Sequence, residues 1–337
     1  MIYDALSPVE TIDVTEPGVI PTGVFAQDKP VVMRGLVRKW PAVERKATDF
    51  QALKDYLSKF WTQRPVTAYV APSEARGRFG YNQAFNGFNF QVGSAPLADI
   101  IERIEEAQTA DEGRAIYVGS TPVKEWLPGF HEANFLQVPG EPLVNFWLGN
   151  RTTVSAHYDF PSNVACVVAG SRRFTLFPTE QVGNLYVGPI DRTPSGQPIS
   201  LVDFDDPDFH SYPKFKEALH VGQTAVLQPG DAIFIPSMWW HHVKALADCN
   251  LLVNYWWLDN TAFMGSPFTA LMHAVMSIRN LRPAQRDAWQ QLFNHYVFKP
   301  DQTNVDHIPE LARGCLGNLD EDDVRRLRAE LINRLNR

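Results

Sequence analysis

From residue 29 to about 265 the apolar positions fall in short runs broken by proline and glycine. KPVVMRGLV (29–37), AIYVG (115–119) and LVNFWLG (143–149) are β-branched or aromatic runs of strand length. Between Thr152 and Trp257 such runs follow one another: TTVSAHYD, NVACVV, RRFTLF, TAVLQ, AIFIP, HHVKAL and CNLLVNYWW. The breaks AGS, QPGD and PSMWW are short and turn-like. Many short strands with no helices between them predict an antiparallel barrel or sandwich, not a parallel βαβ sheet. A helical period appears before this in TDFQALKDYLSKF (48–60). There Phe50, Leu53, Tyr56, Leu57 and Phe60 share a face, with Thr48 or Asp49 as the cap.

After residue 265 the period changes to that of helices. Ser266-Pro267 opens one with Phe268, Leu271, Met272, Val275 and Ile278 on a stripe. A second starts near Pro283, with Trp289, Leu292, Phe293 and Tyr296 together. A third starts at Asp320, with Val324, Leu327, Leu331 and Leu335. Two domains are expected, 1–265 with helices buttressing the strands and 266–337 as a helical segment. A closed strand domain fills its own interior, so the helical stripes need another surface. A homodimer through these C-terminal helices is the expected assembly.

Composition narrows the class. Over 337 residues, 45% apolar and 12% aromatic side chains supply a full core. The three cysteines, Cys166, Cys249 and Cys315, are widely spaced, so they read as small buried residues in a reducing compartment. A net charge of -7 gives no general pull towards nucleic acid. No apolar run is long enough to span a bilayer, and MIYDALSPVETIDVTEPG has no basic start or apolar stretch of a leader. The expectation is a cytoplasmic protein with no membrane and no nucleic-acid partner.

Candidate chemistry lies in His157-Tyr158-Asp159 and in the pair His241-His242. Residues i and i+2 of a strand face the same side, so His157 and Asp159 can share a barrel interior. With a histidine from a neighbouring strand they make two imidazoles and a carboxylate, a set that holds Fe(II) on one face and leaves the other open. H-x-D alone is a weak signal, and a satisfied core histidine is its commoner meaning. QPGDAIFIPSMWWHHV changes the balance, with a tight turn leading into two strands and an aromatic pair ahead of the histidines.

These segments resemble the JmjC-like branch of the cupin superfamily, the Fe(II)- and 2-oxoglutarate-dependent oxygenases, and within it the asparaginyl hydroxylases. KPVVMRGLVRKWPA, IYVGS, SAHYDFPSNVACVVAGSRRFTLFP, VDFDDPDFHSYPKF, QPGDAIFIPSMWWHHV and LLVNYWW carry the likeness in order, across most of residues 25–260. The resemblance implies a mainly β fold with flanking helices, a double-stranded β-helix or jelly-roll cupin. It implies Fe(II) held by His157, Asp159 and His241, and 2-oxoglutarate as cosubstrate. His242 then points to the other side of its strand. The family's far-carboxylate anchor, usually a lysine, matches Arg172, with Tyr117 assisting; Arg173 alternates outward. Asn163 and Asn254 match two asparagines at the iron end of the cosubstrate, although an amide bridging the sheet is an alternative for Asn254. Trp256 reads as a pocket wall. The family's threonine three residues before the first histidine is Val154 here, flanked by Thr153 and Ser155.

The implied activity is hydroxylation of an unactivated C–H bond, on a protein or peptide side chain or on a small molecule, the substrate being left open. Two other classes stay open: a cupin metalloenzyme without 2-oxoglutarate, and a non-catalytic metal- or ligand-binding cupin. The acidic VDFDDPDF is read as a solvated loop that can also hold a basic peptide. His273, His295 and His307 have no ligand spacing, and no phosphate-binding loop or nucleophile elbow is found.

Overall fold

The computed structural model describes residues 2–44, 50–109, 113–194, 196–258, 265–301 and 304–336, so the caps expected at Thr48 and Asp49 lie outside the described residues. The chain divides into two compact units, Met1–Leu258 and Asp259–Arg337.

Strands of the first unit, numbered in chain order, form two sheets. The six-stranded sheet runs β1 (Ser7–Pro8), β12 (Gln223–Leu227), β11 (Arg172–Phe177), β14 (Trp240–Ala245), β9 (Thr153–His157) and β5 (Arg78–Phe79). The nine-stranded sheet runs β2 (Glu10–Asp13), β3 (Val31–Arg34), β13 (Ala232–Ile235), β10 (Ser162–Ala169), β15 (Asn250–Trp257), β8 (Leu143–Gly149), β7 (Ala115–Pro122), β4 (Pro65–Ala71) and β6 (Gln91–Pro96). Consecutive strands such as β9 and β10 lie in opposite sheets, the arrangement of the expected jelly roll.

Alternation sorts the side chains into three layers. Ala165, Val167, Ile233, Ile235 and Leu252 of the larger sheet meet Phe174, Leu176 and Leu227 of the smaller one in the space between them. The opposite side of the larger sheet carries Val118, Phe146 and Val253, covered by helices Phe50–Leu57 and Leu97–Thr109 through Leu53, Tyr56, Leu57, Ile100, Ile101 and Ile104. Burial of these stripes, at about 25 cal/mol per Å2 of apolar surface, is what fixes the two helices. Phe204 and Phe215 cover the outside of the smaller sheet against Phe177 and Trp240.

Two local devices hold the strands in register. In QPGD, Asp231 accepts hydrogen bonds from the Gly35 N–H (2.9 Å), the Gln228 N–H (3.0 Å) and Arg34 (2.6 Å). Gly230 sits at φ +96°, and a Cβ there would meet the Arg38 backbone at 3.1 Å, so the turn needs glycine. The second device is the acidic segment. Asp203 pairs with Arg76 (2.7 Å) and Arg78 (2.9 Å), and Asp205 with Lys244 (2.6 Å) and Tyr3 (3.1 Å). These two carboxylates are therefore ties across the outside of the smaller sheet, while Asp206 and Asp208 of the same segment are exposed, as expected of a solvated loop.

In the second unit the helices are Pro267–Ser277, Pro283–Phe293 and Glu321–Leu335, with a π turn at Asn294–Phe298. Asp320 caps the third by accepting from the Asp323 N–H at 2.9 Å. None of these helices buries a side chain: Leu271, Trp289 and Leu292 are 47%, 45% and 46% exposed.

Candidate active site

β9 and β14 are antiparallel neighbours, with His157 directly opposite His241. The rings lie 4.3 Å apart by centroid. β9 ends at His157, but the chain stays extended long enough to bring Asp159 back to the same side. Its Oδ2 lies 3.3 Å from His241 Nε2, while the intervening Tyr158 packs edge-on against Trp240 at 4.9 Å. One ligand-type atom from each of His157, Asp159 and His241 lies within 4.8 Å of the others, and no other such cluster of three occurs among the described residues.

The imidazoles are fixed by backbone carbonyls. His157 Nδ1 is 2.9 Å from Ser155 O, and His241 Nδ1 is 3.0 Å from Trp239 O. A carbonyl only accepts, so each Nδ1 carries a proton and Nε2 is the nitrogen each ring turns to the site. That of His241 stands 3.3 Å from Asp159 Oδ2, where a cation would take the place of any proton between them. Burial lowers the His157 pKa, helped by its neighbour His241. Burial also pulls down on His241, but its hydrogen bond and charge contact with Asp159 prevail and raise it. Asp159 is pushed up by burial, yet His241, His157 and the Trp256 indole together hold it below its ordinary value. Two neutral-capable imidazoles and one carboxylate, with a face left open, are a donor set that fits Fe(II).

The same cavity continues along the sheet interior, lined by Tyr117, Trp147, Val154, Asn163, Arg172, Asn254 and Trp256 among others. Arg172 is 3% exposed; its Nη2 donates to Trp147 O at 3.1 Å, and its Nε has no partner. No carboxylate of the described residues pairs with it. A buried cation without an anion is costly, and an incoming carboxylate relieves that cost. Tyr117 is buried beside it: burial raises the phenol pKa while the Arg172 charge lowers it. These groups fit the far carboxylate of a dicarboxylate such as 2-oxoglutarate.

Asn254 bridges the wall, accepting from Trp147 Nε1 at 2.7 Å and donating to Asn163 Oδ1 at 3.2 Å. The bridging role weighed for it is thus present, and it sets the orientation of Asn163. Trp147 was missed from the sequence. Its place two residues before Gly149 in LVNFWLG was the available signal, and it supplies both a carbonyl for Arg172 and an N–H for Asn254.

Val154 lines the cavity because β9 contains a bulge. Val154 pairs with Val243 and His157 with His241, so Ser155 and Ala156 together stand opposite His242. His242 lies outside the cavity, stacked on Phe204 at 4.4 Å. Arg173 also faces outward, over the Tyr3 ring at 4.1 Å.

A β-sandwich with two histidines and an aspartate at one end of a cavity, and a lone buried arginine further in, defines a metal-binding cupin of the oxygenase type. The chain matches the cupin-like domain model over residues 20–263 and belongs to that family. It is 34% identical over 265 residues to the tRNA wybutosine-synthesizing protein 5 of Danio rerio, covering 69% of this chain and 70% of that one. It is 28% identical over 201 residues to a lysine-specific demethylase of Arabidopsis thaliana, covering 57% of this chain and 34% of the relative. To the human bifunctional peptidase and (3S)-lysyl hydroxylase it is 24% identical over 266 residues, 68% of this chain and 77% of the other. The match spans between a third and a half of the length of several relatives, 34% and 48% for two lysine demethylases. Among the described residues no helix is long and apolar enough to cross a membrane.

Proposed function

We propose that this protein is an Fe(II)- and 2-oxoglutarate-dependent oxygenase that hydroxylates a C–H bond of a protein side chain. The observation that carries the reading is Arg172, a buried guanidinium without a counter-ion in the cavity that holds His157, Asp159 and His241. When bound, iron and 2-oxoglutarate supply the oxidising chemistry. The chain's part is to present two Nε2 atoms and one carboxylate oxygen on one face, and to orient Asn163 through Asn254. Arg172 and Tyr117 draw the far carboxylate inward, and the Trp147 and Trp256 rings exclude water.

Relatives named as lysyl hydroxylase and lysine demethylase support a protein substrate. A relative named for tRNA modification points to RNA, but a net charge of -7 gives this chain no general attraction to a polyanion. The test is anaerobic loading with Fe(II) and 2-oxoglutarate, then admission of oxygen and measurement of succinate with candidate lysine peptides. Succinate with a peptide mass gain of one oxygen supports hydroxylation, whereas formaldehyde release would turn the reading to demethylation. Absence of succinate under all conditions would favour a cupin that does not use 2-oxoglutarate.

We further propose a homodimer through the second unit, supported by the exposed Leu271, Trp289 and Leu292 on successive helices. Leu292→Arg is then expected to give a monomer by light scattering. A wild type that is already a 38.1 kDa species would refute this.

A further inference from the structure

Two buried donors of the cavity have no acceptor, Arg172 Nε and Trp256 Nε1. The first is accounted for by an incoming carboxylate. The second is not, and leaving an N–H buried without a partner costs on the order of 1–3 kcal/mol. Trp256 is in register with Asn163, so its side chain shares the cavity face of β15 with Asn254, two residues away. The indole packs edge-on against Trp147 at 5.7 Å and 80°, and Trp147 is itself tied to Asn254. Its orientation is therefore set by packing that the N–H does nothing to secure.

Asp159 lines the same cavity, with its side chain 13% exposed and one oxygen turned to His241. A carboxylate that gives one oxygen to a metal needs a donor for the other, or it drifts towards two-oxygen binding and closes the open face. The indole lies within reach of that carboxylate in the same cavity.

We propose that Trp256 is a positioning residue whose indole N–H donates to the carboxylate oxygen of Asp159 that does not bind the metal. This rests on the metal half of the proposed function and is independent of 2-oxoglutarate. It assigns to Trp256 more than the role of a wall.

The test is titration of the whole protein with Co(II), followed by its d–d absorption, on wild type, Trp256→Phe, Asp159→Ala and the double variant. Trp256→Phe is expected to weaken Co(II) binding about tenfold or more, as loss of an outer partner of a metal ligand does. In the Asp159→Ala background, titrated at Co(II) concentrations high enough to fill the weakened two-histidine site, the same change is expected to have no effect on the residual affinity, because the acceptor is gone. Equal affinity for wild type and Trp256→Phe, or the same loss in both backgrounds, would overturn the proposal. If Trp256→Phe melts without cooperativity, 3-benzothienylalanine at position 256 removes the N–H at constant ring size and gives the same comparison. A wild type that binds no Co(II) would instead defeat the metal reading, and this inference with it.

Discussion

His241 and His242 are consecutive on β14, and Arg172 and Arg173 on β11, yet the members of each pair live in different chemistry. On the inner face Arg172 Nε has no hydrogen-bonded acceptor, and His241 Nε2 meets only the Asp159 carboxylate at 3.3 Å, although both residues are buried. On the outer face the same residue types are taken up by packing: His242 lies flat on Phe204, Arg173 covers Tyr3, and Lys244 meets Asp205 at 2.6 Å. The inner groups are held in place by carbonyls and neighbouring strands while their reactive atoms stay available. The outer side chains serve the fold through their faces, and His242 does so with an Nδ1 that has no hydrogen-bond partner. One-residue alternation thus separates binding from stability within a single sheet.

The largest effects test this separation directly. His157→Ala, Asp159→Ala and His241→Ala should each abolish or severely weaken Fe(II) binding, with melting little changed. His242→Ala should keep the metal and lower stability by on the order of 2 kcal/mol, as loss of a packed core ring does. It should also change the response to acid. Burial pushes the His242 pKa down to about 3, below its unfolded value near 6.5. A depressed folded pKa contributes stability that is present above pH 6.5 and lost as pH falls towards 3. His242→Ala should therefore flatten the slope of unfolding free energy against pH between about 3 and 6.5. A variant at 242 that lost the metal would break the comparison.

Next in size is the arginine pair. Arg172→Ala should raise the 2-oxoglutarate requirement by ten- to a hundredfold, since a charged hydrogen bond is worth about 1.5–3 kcal/mol. Arg172→Lys should retain part of the binding. Arg173→Ala should leave the requirement unchanged, losing only the contact with Tyr3. Titration of 2-oxoglutarate against the metal-loaded protein checks all three, and an unaffected Arg172→Ala would remove the anchor and favour a cosubstrate-free cupin.

Much of this was legible in the sequence because strand period and turn chemistry are local. AGS and QPGD mark the ends of β10 and the start of β13, and alternation alone separates His241 from His242. The order of segments also carried the jelly roll. What the sequence did not reveal depends on contacts distant in the chain. Asp203 and Asp205 are drawn into ion pairs by Arg76, Arg78 and Lys244, all distant in the chain, so the ties within an acidic run were hidden. Trp147 serves Arg172 and Asn254 from a third strand. The free Trp256 N–H is visible only once every neighbour is placed. The bulge in β9 is the clearest case: strict alternation from His157 puts Ser155 and Thr153 inside, whereas the extra residue puts Val154 there.

That bulge gives the smallest and most pointed expectation. Val154 faces the cavity among Tyr117, Arg172 and Val243, at the position where the family resemblance implies a threonine. Val154→Thr keeps the shape and adds a hydroxyl, which should lower the 2-oxoglutarate requirement a few-fold, within the roughly 0.5–1.5 kcal/mol of a neutral hydrogen bond. Without the cosubstrate the same hydroxyl lacks a partner, so the empty variant should melt slightly below wild type and regain the difference on binding. Ser155→Ala is the matching change on the other side of the bulge, next to Ile199 and Ser200, and should leave 2-oxoglutarate binding untouched. If Ser155→Ala weakened binding and Val154→Thr only destabilised the protein, β9 would follow plain alternation. The inner and outer faces of this strand would then have to be exchanged upstream of His157.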